Sequence, residues 1–238
     1  MSLYNLMVWF SPDKSFGENE GLARAQIDLA NALRWRTNKV ILITNFEWEY
    51  GGIRTTVLDN LDFPRNYRAC KLKAFIAMRD AGMLEKGHIY WFHDFDVYQC
   101  RNFAPPKIRC FGATRFARHS NLWSTGSIFF THEISDMLDI WLAKTDAKAE
   151  WCEERALNYL SFADSIIDDI GLTYNYRCKQ WNEQWPVIEK PICALHGRIA
   201  PAHMDFWTGN NPAGENFLWR GTEEIFRKNG LLQGENYG

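Results

Sequence analysis

The chain has 238 residues, and its 27 basic and 29 acidic residues leave a formal net charge of -2. This length suits one large α/β domain with a substantial core and leaves little room for two full domains. A nearly balanced charge gives no electrostatic footprint for nucleic acid or for an anionic membrane surface. Any anionic ligand must therefore be held by a local site.

The cysteine pattern and the apolar runs bear on the cellular compartment. Six cysteines are scattered without a C-x-x-C pair or zinc-finger spacing, so free thiols in a reducing compartment are expected. The first ten residues lack a basic leader and a small-residue cleavage site. No run approaches the roughly 20 apolar residues that a bilayer span requires. We therefore expect a soluble, cytoplasmic protein with neither a signal peptide nor a transmembrane segment.

The first third of the chain predicts the opening of a parallel sheet. Its expected elements are a strand at residues 4–10, a helix at 22–36, a strand at 39–44, a weaker strand at 54–58 and a helix at 68–83. Strand, helix and strand in this order typically form the first unit of a parallel sheet.

The later elements continue this α/β order and then give way to a tail. We expect strands at residues 109–114 and 123–130, helices at 134–144 and 151–162, and short strands at 173–178 and 191–196. From about Pro201 onward, frequent Gly, Pro and Asn predict an irregular C-terminal tail that closes with a short helix at 223–228. The predicted fold is one α/β domain over residues 1–200, a mostly parallel sheet flanked by helices, with an extension at 201–238 packed on it.

The segment at residues 88–97 is an apolar, aromatic-rich run that ends in two carboxylates, Asp94 and Asp96. Such a run predicts a strand buried on both faces, and ligands of open α/β sheets lie beyond the carboxyl ends of these strands. Alternation along an ideal strand places both carboxylates on one face, where they repel each other unless a cation or a proton lies between them. A Mg²⁺ or Mn²⁺ ion shared with substrate phosphates would compensate this charge. The alternative is a pair that only caps the strand.

The Asp94-Phe95-Asp96 motif is one of six features that occur in order along the chain. They are a basic helix start at residues 68–73, the Asp94-Phe95-Asp96 motif, a strand at 123–130 with Gly126, an acidic helix start at Glu153 and Glu154, the segment 172–175, and a late strand at 191–197 with His196. Over roughly residues 68–198 this series resembles the GT-A type of nucleotide-sugar-dependent glycosyltransferase, with a pattern like that of glycogenin-like and polysaccharide hexosyltransferases. Ser124 and Arg198 depart from the pattern, where such families often carry Asn and Lys.

The resemblance implies a metal-dependent transfer of a hexose from a UDP- or GDP-sugar, with UDP favoured, to a saccharide or glycoconjugate acceptor. It implies a GT-A domain in which Asp94, Asp96 and His196 bind Mn²⁺ or Mg²⁺, and this ion would act as a Lewis acid on the diphosphate. The residues expected to contact the donor are Phe10, Ser11, Arg68, Lys71, Asp94, Phe95, Gly126, Ser127, Gly197 and Arg198.

Glu153 and Glu154 are the candidate catalytic residues. If the reaction inverts the anomeric carbon, one of them takes the proton of the acceptor hydroxyl as general base. If it retains configuration, the same group orients or stabilises the sugar. At least one of the two is also explained as a solvated helix start favoured by the helix dipole.

Several of these residues have an alternative structural explanation. Arg68 and Lys71 can form a solvated helix face, and His196 can be a satisfied core histidine. Asp168 and Asp169 are expected to form a solvated patch where a helix passes into a turn.

Two other functions compete with glycosyl transfer. A haloacid-dehalogenase-like phosphatase would use Asp94 and Asp96 with a later acidic pair, but Tyr98 stands where that class has a small residue. A catalytically silent carbohydrate-binding protein would keep the fold without turnover. A set of late aromatic residues has two interpretations: it forms a platform for the acceptor, or it covers the core. These residues are Trp181, Trp185, Phe206, Trp207 and Trp219.

Overall fold

The structure is a computed structural model that describes residues 2–58, 69–117, 120–148, 150–160, 163–177, 188 and 190–232. The described strands are β1 (Ser2–Trp9), β2 (Val40–Thr44), β3 (Glu49–Tyr50), β4 (Ile53–Arg54), β5 (Thr56–Val57), β6 (His88–His93), β7 (Val97–Gln99), β8 (Phe111–Arg115), β9 (Trp123–Phe130), β10 (Ile167–Asp169), β11 (Tyr176–Arg177) and β12 (Ala194–His196). The described helices are α1 (Glu20–Ala32), α2 (Cys70–Asp80), α3 (Ser135–Asp146), α4 (Glu153–Asn158), α5 (Ala163–Ile166), α6 (Pro201–Thr208) and α7 (Thr222–Lys228).

A mostly parallel sheet forms the centre of the fold. The described strands form a seven-stranded sheet in the order β10-β8-β9-β6-β1-β2-β5, in which β9 runs antiparallel to its two neighbours. The carboxyl ends of β1, β2 and β6 therefore meet at one edge, and β9 begins at that same edge. The predicted α/β class and the predicted mostly parallel sheet are confirmed.

A second, smaller sheet continues directly from the first. Strand β7 follows β6 after a three-residue turn and pairs antiparallel with β12, which lies parallel to β11. The register places His196 opposite Val97, and the Gly197 backbone N–H donates to the Asp96 carbonyl over 2.9 Å. This pairing brings the end of the late strand against the Asp94-Phe95-Asp96 motif.

The central strands are buried on both faces, because helices cover each side of the sheet. Along β1, Leu6 packs into the core beside α2 and α3, whereas its neighbour Met7 packs beside α1. Along β6, Tyr90 and Phe92 face the first core, and Trp91 faces the opposite side. The predicted doubly buried strand at the start of the motif is confirmed, and it ends at His93.

Several predicted elements differ from the observed ones. Asp168 and Asp169 lie in strand β10, at the sheet edge, and not at a helix-to-turn junction, because β10 pairs in parallel with β8. The strand expected at residues 173–178 is divided into a 3-10 turn, Leu172–Tyr174, and the short β11; Cys178 lies outside the described residues. The helix expected at residues 151–162 is shorter, and α4 ends at Asn158.

The segment after Pro201 contains more helix than the sequence predicted. Helix α6 begins at Pro201, where a proline in the first turn costs no hydrogen bond. Helix α7 packs on α1, where Lys228 forms an ion pair with Asp28 over 2.9 Å. Phe226 of α7 is fully buried and contacts Tyr98 of β7. The boundary at residue 200 stays a prediction. Within the described part of the chain, no helix is both long and apolar enough to cross a bilayer.

Candidate active site

A cavity of about 470 Å³ opens at the carboxyl edge of the large sheet. Its lining residues are Val8, Trp9, Phe10, Leu22, Cys70, Lys71, Phe92, Asp94, Phe95, Asp96, Cys152 and Glu153. Its aromatic residues come from the end of β1, the end of β6 and the turn after it, and its charged residues come from that same turn and from the first turns of α2 and α4. The cavity thus combines apolar surface with a few convergent charges, as ligand sites typically do.

The two carboxylates of the motif lie in the turn after β6, and not on one strand face as predicted. Strand β6 ends at His93, and the Val97 N–H donates to the Asp94 carbonyl over 3.1 Å. The Asp94 N–H donates to the Gly126 carbonyl over 2.8 Å. Buried Gln26 on α1 donates to the carbonyls of both Phe95 and Val97, at 2.7 and 3.0 Å. Hydrogen bonds to the backbone of this turn, two of them from the Gln26 side chain, therefore hold it in place and direct both carboxylates to the cavity.

Lys71 lies between two carboxylates. Its Nζ is 2.8 Å from Asp94 Oδ1 and 2.7 Å from Glu153 Oε1, and its side chain is only 14% exposed. The first turn of α2 positions the ammonium, which also lies over the Phe92 ring at 4.9 Å from the centroid. The alternative of a solvated helix face is excluded for Lys71.

The pKa shifts of this pair follow from the surrounding charges. Burial raises the pKa of Asp94, and the nearby carboxylates of Glu153 and Asp96 raise it further, although Lys71 opposes them. Burial would lower the pKa of Lys71, but Asp94 and Glu153 outweigh it and raise this pKa instead. The ammonium therefore stays charged, and the carboxylates around it still lack positive charge.

His196 lies beside Asp96 at the end of β12. Its Nδ1 is 2.7 Å from Asn175 Oδ1, while the Asn175 amide N–H groups donate to Thr114 and Ser124. In the neutral ring this contact places the proton on Nδ1 and leaves the Nε2 lone pair free, since the Arg177 contact with Nδ1 is longer, at 3.3 Å.

The free His196 nitrogen faces a carboxylate. Nε2 is 3.5 Å from Asp96 Oδ2, so two lone pairs oppose each other unless a proton or a cation lies between them. Burial would raise the pKa of Asp96, but a proton on Nε2 that is hydrogen-bonded to this carboxylate outweighs burial and lowers the pKa below its ordinary value. His196 is buried, yet this edge of its ring points to the motif.

Gly126 is required by the position of the histidine ring. A Cβ built on Gly126 would lie 2.4 Å from His196 Cε1 and 2.8 Å from Nδ1, which is closer than real contacts allow. Any side chain here would therefore displace the ring. The structure accounts for this glycine through His196, in addition to the donor contact that the resemblance implies.

The adjacent residues Glu153 and Glu154 have different surroundings. Glu153 is buried, lines the cavity, pairs with Lys71 and accepts from the Thr125 hydroxyl over 2.9 Å. Glu154 accepts from the Thr125 backbone N–H over 3.0 Å and lies 3.7 Å from Arg177. The carboxylate of Glu153 is at the cavity, whereas Glu154 joins α4 to β9.

The remaining predicted donor contacts are divided between the cavity and its surroundings. Phe10 and Phe95 line the cavity. Ser11 exchanges two hydrogen bonds with the Asn45 side chain, at 3.1 and 2.7 Å. Ser127 is fully buried, accepts from the Trp91 indole over 2.9 Å and does not line the cavity, and its contact with the donor stays a prediction.

Two predicted donor contacts lie just beyond His196. Gly197 is bound to the Asp96 carbonyl through its backbone, and Arg198 is exposed. Arg68 lies outside the described residues.

The predicted metal ligands meet part of the requirements of a metal site. Two neighbouring ligands of an octahedral ion with bonds of about 2.1 Å are about 3 Å apart, and Asp96 Oδ2 and His196 Nε2 are 3.5 Å apart. Carboxylate oxygen and imidazole nitrogen suit Mn²⁺. Asp94, the third predicted ligand, is bound to Lys71. Among the described residues no three His, Cys, Asp or Glu side chains converge in a ready metal site.

Sequence reasoning missed several residues that shape the site. Gln26 could have been identified from the sequence, because it is a polar residue on the apolar face of α1 between Ala23 and Ala30. Asn175 ends the segment 172–175, to which the resemblance assigns no separate role. Thr125, Cys70 and Cys152 have no sequence signal, since their place depends on how α2 packs against β1 and how α4 packs against β9.

The competing acidic pair lies apart from the cavity. Asp168 accepts from the backbone and side chain of Arg109, at 2.6 and 2.8 Å, on the edge strand β10. Strands β8 and β9 separate β10 from β6. This arrangement does not support the shared site that a haloacid-dehalogenase-like phosphatase requires.

Two of the three late aromatic residues that the structure describes belong to the core. Trp207 is fully buried and Phe206 is buried, so neither forms an acceptor platform. Trp219 lies beside α7, on the lining of a different cavity. Trp181 and Trp185 lie outside the described residues.

The comparison with protein-family models gives no match. No curated protein sequence matches the chain either. Similarity to known proteins is found at the level of structure.

Solved glycosyltransferases share the architecture at low sequence identity. A galactosyltransferase, LgtC, solved with donor and acceptor sugar analogues, is 11% identical with a TM-score of 0.56, covering 100% of this chain and 98% of its own. A glycosyltransferase involved in the glycosylation of the major capsid of PBCV-1 is 13% identical with a TM-score of 0.51, covering 82% of this chain and 92% of its own. GlyE from Streptococcus pneumoniae is 9% identical with a TM-score of 0.57, covering 96% of this chain and 60% of its own. This chain therefore has the GT-A fold of glycosyltransferases.

Proposed function

We propose that this chain is a metal-dependent glycosyltransferase that moves a hexose from a nucleoside-diphosphate sugar to a saccharide or glycoconjugate acceptor. UDP is the expected nucleotide, in preference to GDP. The observation that carries the proposal is the cavity at the carboxyl edge, where Asp94, Asp96 and Glu153 meet the single ammonium of Lys71 among the described lining residues. Two negative charges remain there without a counter-charge, and one divalent cation would balance them.

Asp96 and His196 are the proposed principal ligands of Mn²⁺ or Mg²⁺, with Asp94 as a further ligand. The hydrogen bond from His196 to Asn175 keeps the ring in the tautomer that a ligand needs. A bound ion would neutralise the charge that develops on the diphosphate leaving group. Arg198, two residues beyond His196 and exposed, is proposed to add a guanidinium to the phosphates.

Glu153 is the proposed catalytic carboxylate, and Glu154 a positioning residue. Glu153 is at the cavity, and Lys71 and Thr125 hold its Oε1, so its second oxygen is available to a substrate hydroxyl. In an inverting reaction it would accept the proton of the acceptor hydroxyl. In a retaining reaction it would orient the sugar and stabilise positive charge on the anomeric carbon.

The aromatic lining residues are proposed to bind the nucleoside. Trp9, Phe10 and Phe95 contribute ring surfaces to the cavity. Flat rings offer apolar surface to a base, whereas the charged residues suit the diphosphate and the sugar. The donor would then lie with its phosphates near Asp94 and Asp96.

Ligand-induced stabilisation tests the proposal. A ligand present at about 100 times its Kd stabilises the native state by roughly 2.7 kcal/mol, which is a measurable rise in Tm. We expect UDP- or GDP-sugars to raise Tm in the presence of Mn²⁺ and to lose this effect with EDTA. Asp96→Ala is the matched variant, which should stay folded and show no metal-dependent shift. The absence of any shift with every donor in the panel would reject the proposal.

A further inference from the structure

The charges around the cavity show an imbalance. Among the described lining residues, Asp94, Asp96 and Glu153 contribute three carboxylates, and Lys71 contributes one ammonium. The nearby carboxylate of Glu154 has its own cation, Arg177. Lys71 therefore shares its single charge between two of the three carboxylates.

Lys71 already contacts Asp94, one of the proposed metal ligands. Its Nζ lies 2.8 Å from Asp94 Oδ1 and 2.7 Å from Glu153 Oε1, and the side chain is largely buried over Phe92. A divalent ion that binds Asp94 must approach this ammonium closely and must compete with it for the charge of the same carboxylate. The two cations thus repel each other and seek the same carboxylate.

We propose that Lys71 is an internal counter-ion that competes with a divalent cation for Asp94. This inference rests on the metal site of the proposed function. When the ion binds, Asp94 exchanges Lys71 for the ion, and Lys71 keeps its bond to Glu153. The same ammonium limits the affinity for the free ion, so that the donor diphosphate, which adds negative charge, strengthens ion binding.

Mn²⁺ binding to the full chain tests the competition without any measurement of activity. The solution signal of free Mn²⁺ in electron paramagnetic resonance disappears on binding and yields Kd directly. Lys71→Met should bind Mn²⁺ about tenfold more tightly or better, because it removes a positive charge beside the ion. Lys73→Met, two residues along the same helix and outside the cavity lining, should stay within about twofold of the wild type.

A second pair of variants gives the same comparison in case Lys71→Met does not fold. Lys71→Met leaves two buried carboxylates without their ammonium, and this loss threatens the fold. In Glu153→Gln, Asp94 is the one carboxylate that still pairs with Lys71, so this variant should bind Mn²⁺ more weakly than the wild type. The double variant K71M/E153Q removes one charge of each sign, and it should bind Mn²⁺ about tenfold more tightly than Glu153→Gln or better. Circular dichroism establishes which variants are folded.

The outcomes separate this inference from the proposed function. Equal or weaker Mn²⁺ binding after loss of Lys71, in both the single and the double comparison, overturns the inference even where nucleotide sugars bind. Absence of Mn²⁺ binding in the wild type and in both Lys71 variants overturns it as well. Tighter binding in the Lys71 variants supports the inference, including the case where no nucleotide sugar binds and the proposed function itself fails.

Discussion

The substitution Gly126→Ala tests how closely the backbone of β9 and the His196 ring must approach. The added Cβ would lie 2.4 Å from His196 Cε1, whereas ordinary contacts begin at 3.4 Å, so the ring must retreat by about 1 Å. The φ angle of Gly126 lies outside the left-handed region, so alanine meets no backbone penalty there. The full effect therefore comes from the collision with the histidine.

The expected cost follows from two terms. Overpacking of a well-packed site costs about 1–3 kcal/mol, and loss of a buried hydrogen bond, here from His196 to Asn175, adds about 1 kcal/mol. Gly126→Ala should therefore lower the free energy of unfolding by roughly 2–4 kcal/mol in urea titrations followed by tryptophan fluorescence. It should also weaken Mn²⁺ binding, because Nε2 leaves its place beside Asp96.

A double-mutant cycle provides the control. In a His196→Ala background the ring is gone, and Gly126→Ala should cost less than about 0.5 kcal/mol. An equal cost in both backgrounds would show that the glycine is required for another reason. A stable Gly126→Ala variant with unchanged Mn²⁺ binding would refute the proposed arrangement of His196 and Asp96.

Three further predictions follow from the site. Glu153→Gln should lower the rate of hexose transfer by roughly 10²-fold or more, whereas Glu154→Gln should mainly lower Tm, since it loses the ion pair with Arg177; equal rate losses would contradict these roles. Gln26→Leu should destabilise the chain by roughly 2–3 kcal/mol in urea, because it removes two hydrogen bonds to buried carbonyls; a neutral effect would argue against Gln26 as the support of the turn. Burial lowers the pKa of His93 from 6.5 to about 4, so stability present above pH 6.5 should be lost as the pH falls toward 4, by roughly 3 kcal/mol relative to His93→Asn; parallel pH profiles of the two proteins would refute this.

Local patterns predicted the parts of the fold that depend on local burial. The apolar run before Asp94 predicted a strand covered on both faces, and β6 is such a strand. The strand-helix-strand opening likewise predicted the parallel pairing of β1 with β2. In these elements the burial required by the fold is visible as unbroken apolar sequence.

The sequence was less informative where distant segments decide the structure. Asp168 and Asp169 read as solvated residues, but pairing with β8 makes them an edge strand, because tertiary context outweighs local preference. The position of Asp94 and Asp96 in a turn depends on β12 pairing with β7. Lys71 was identified as a cation near the site, but its two carboxylate partners come from α4 and from the turn after β6.

Release of nucleoside diphosphate from a panel of UDP- and GDP-hexoses tests the central claim most directly. The wild type should release UDP slowly from one donor with Mn²⁺ and faster once a saccharide acceptor is present, and EDTA should abolish both. Asp96→Ala, checked for folding, should release none above background. Release that persists in Asp96→Ala or in EDTA would contradict a reaction that depends on Asp96 and a divalent ion, and no release from any donor would contradict glycosyl transfer itself.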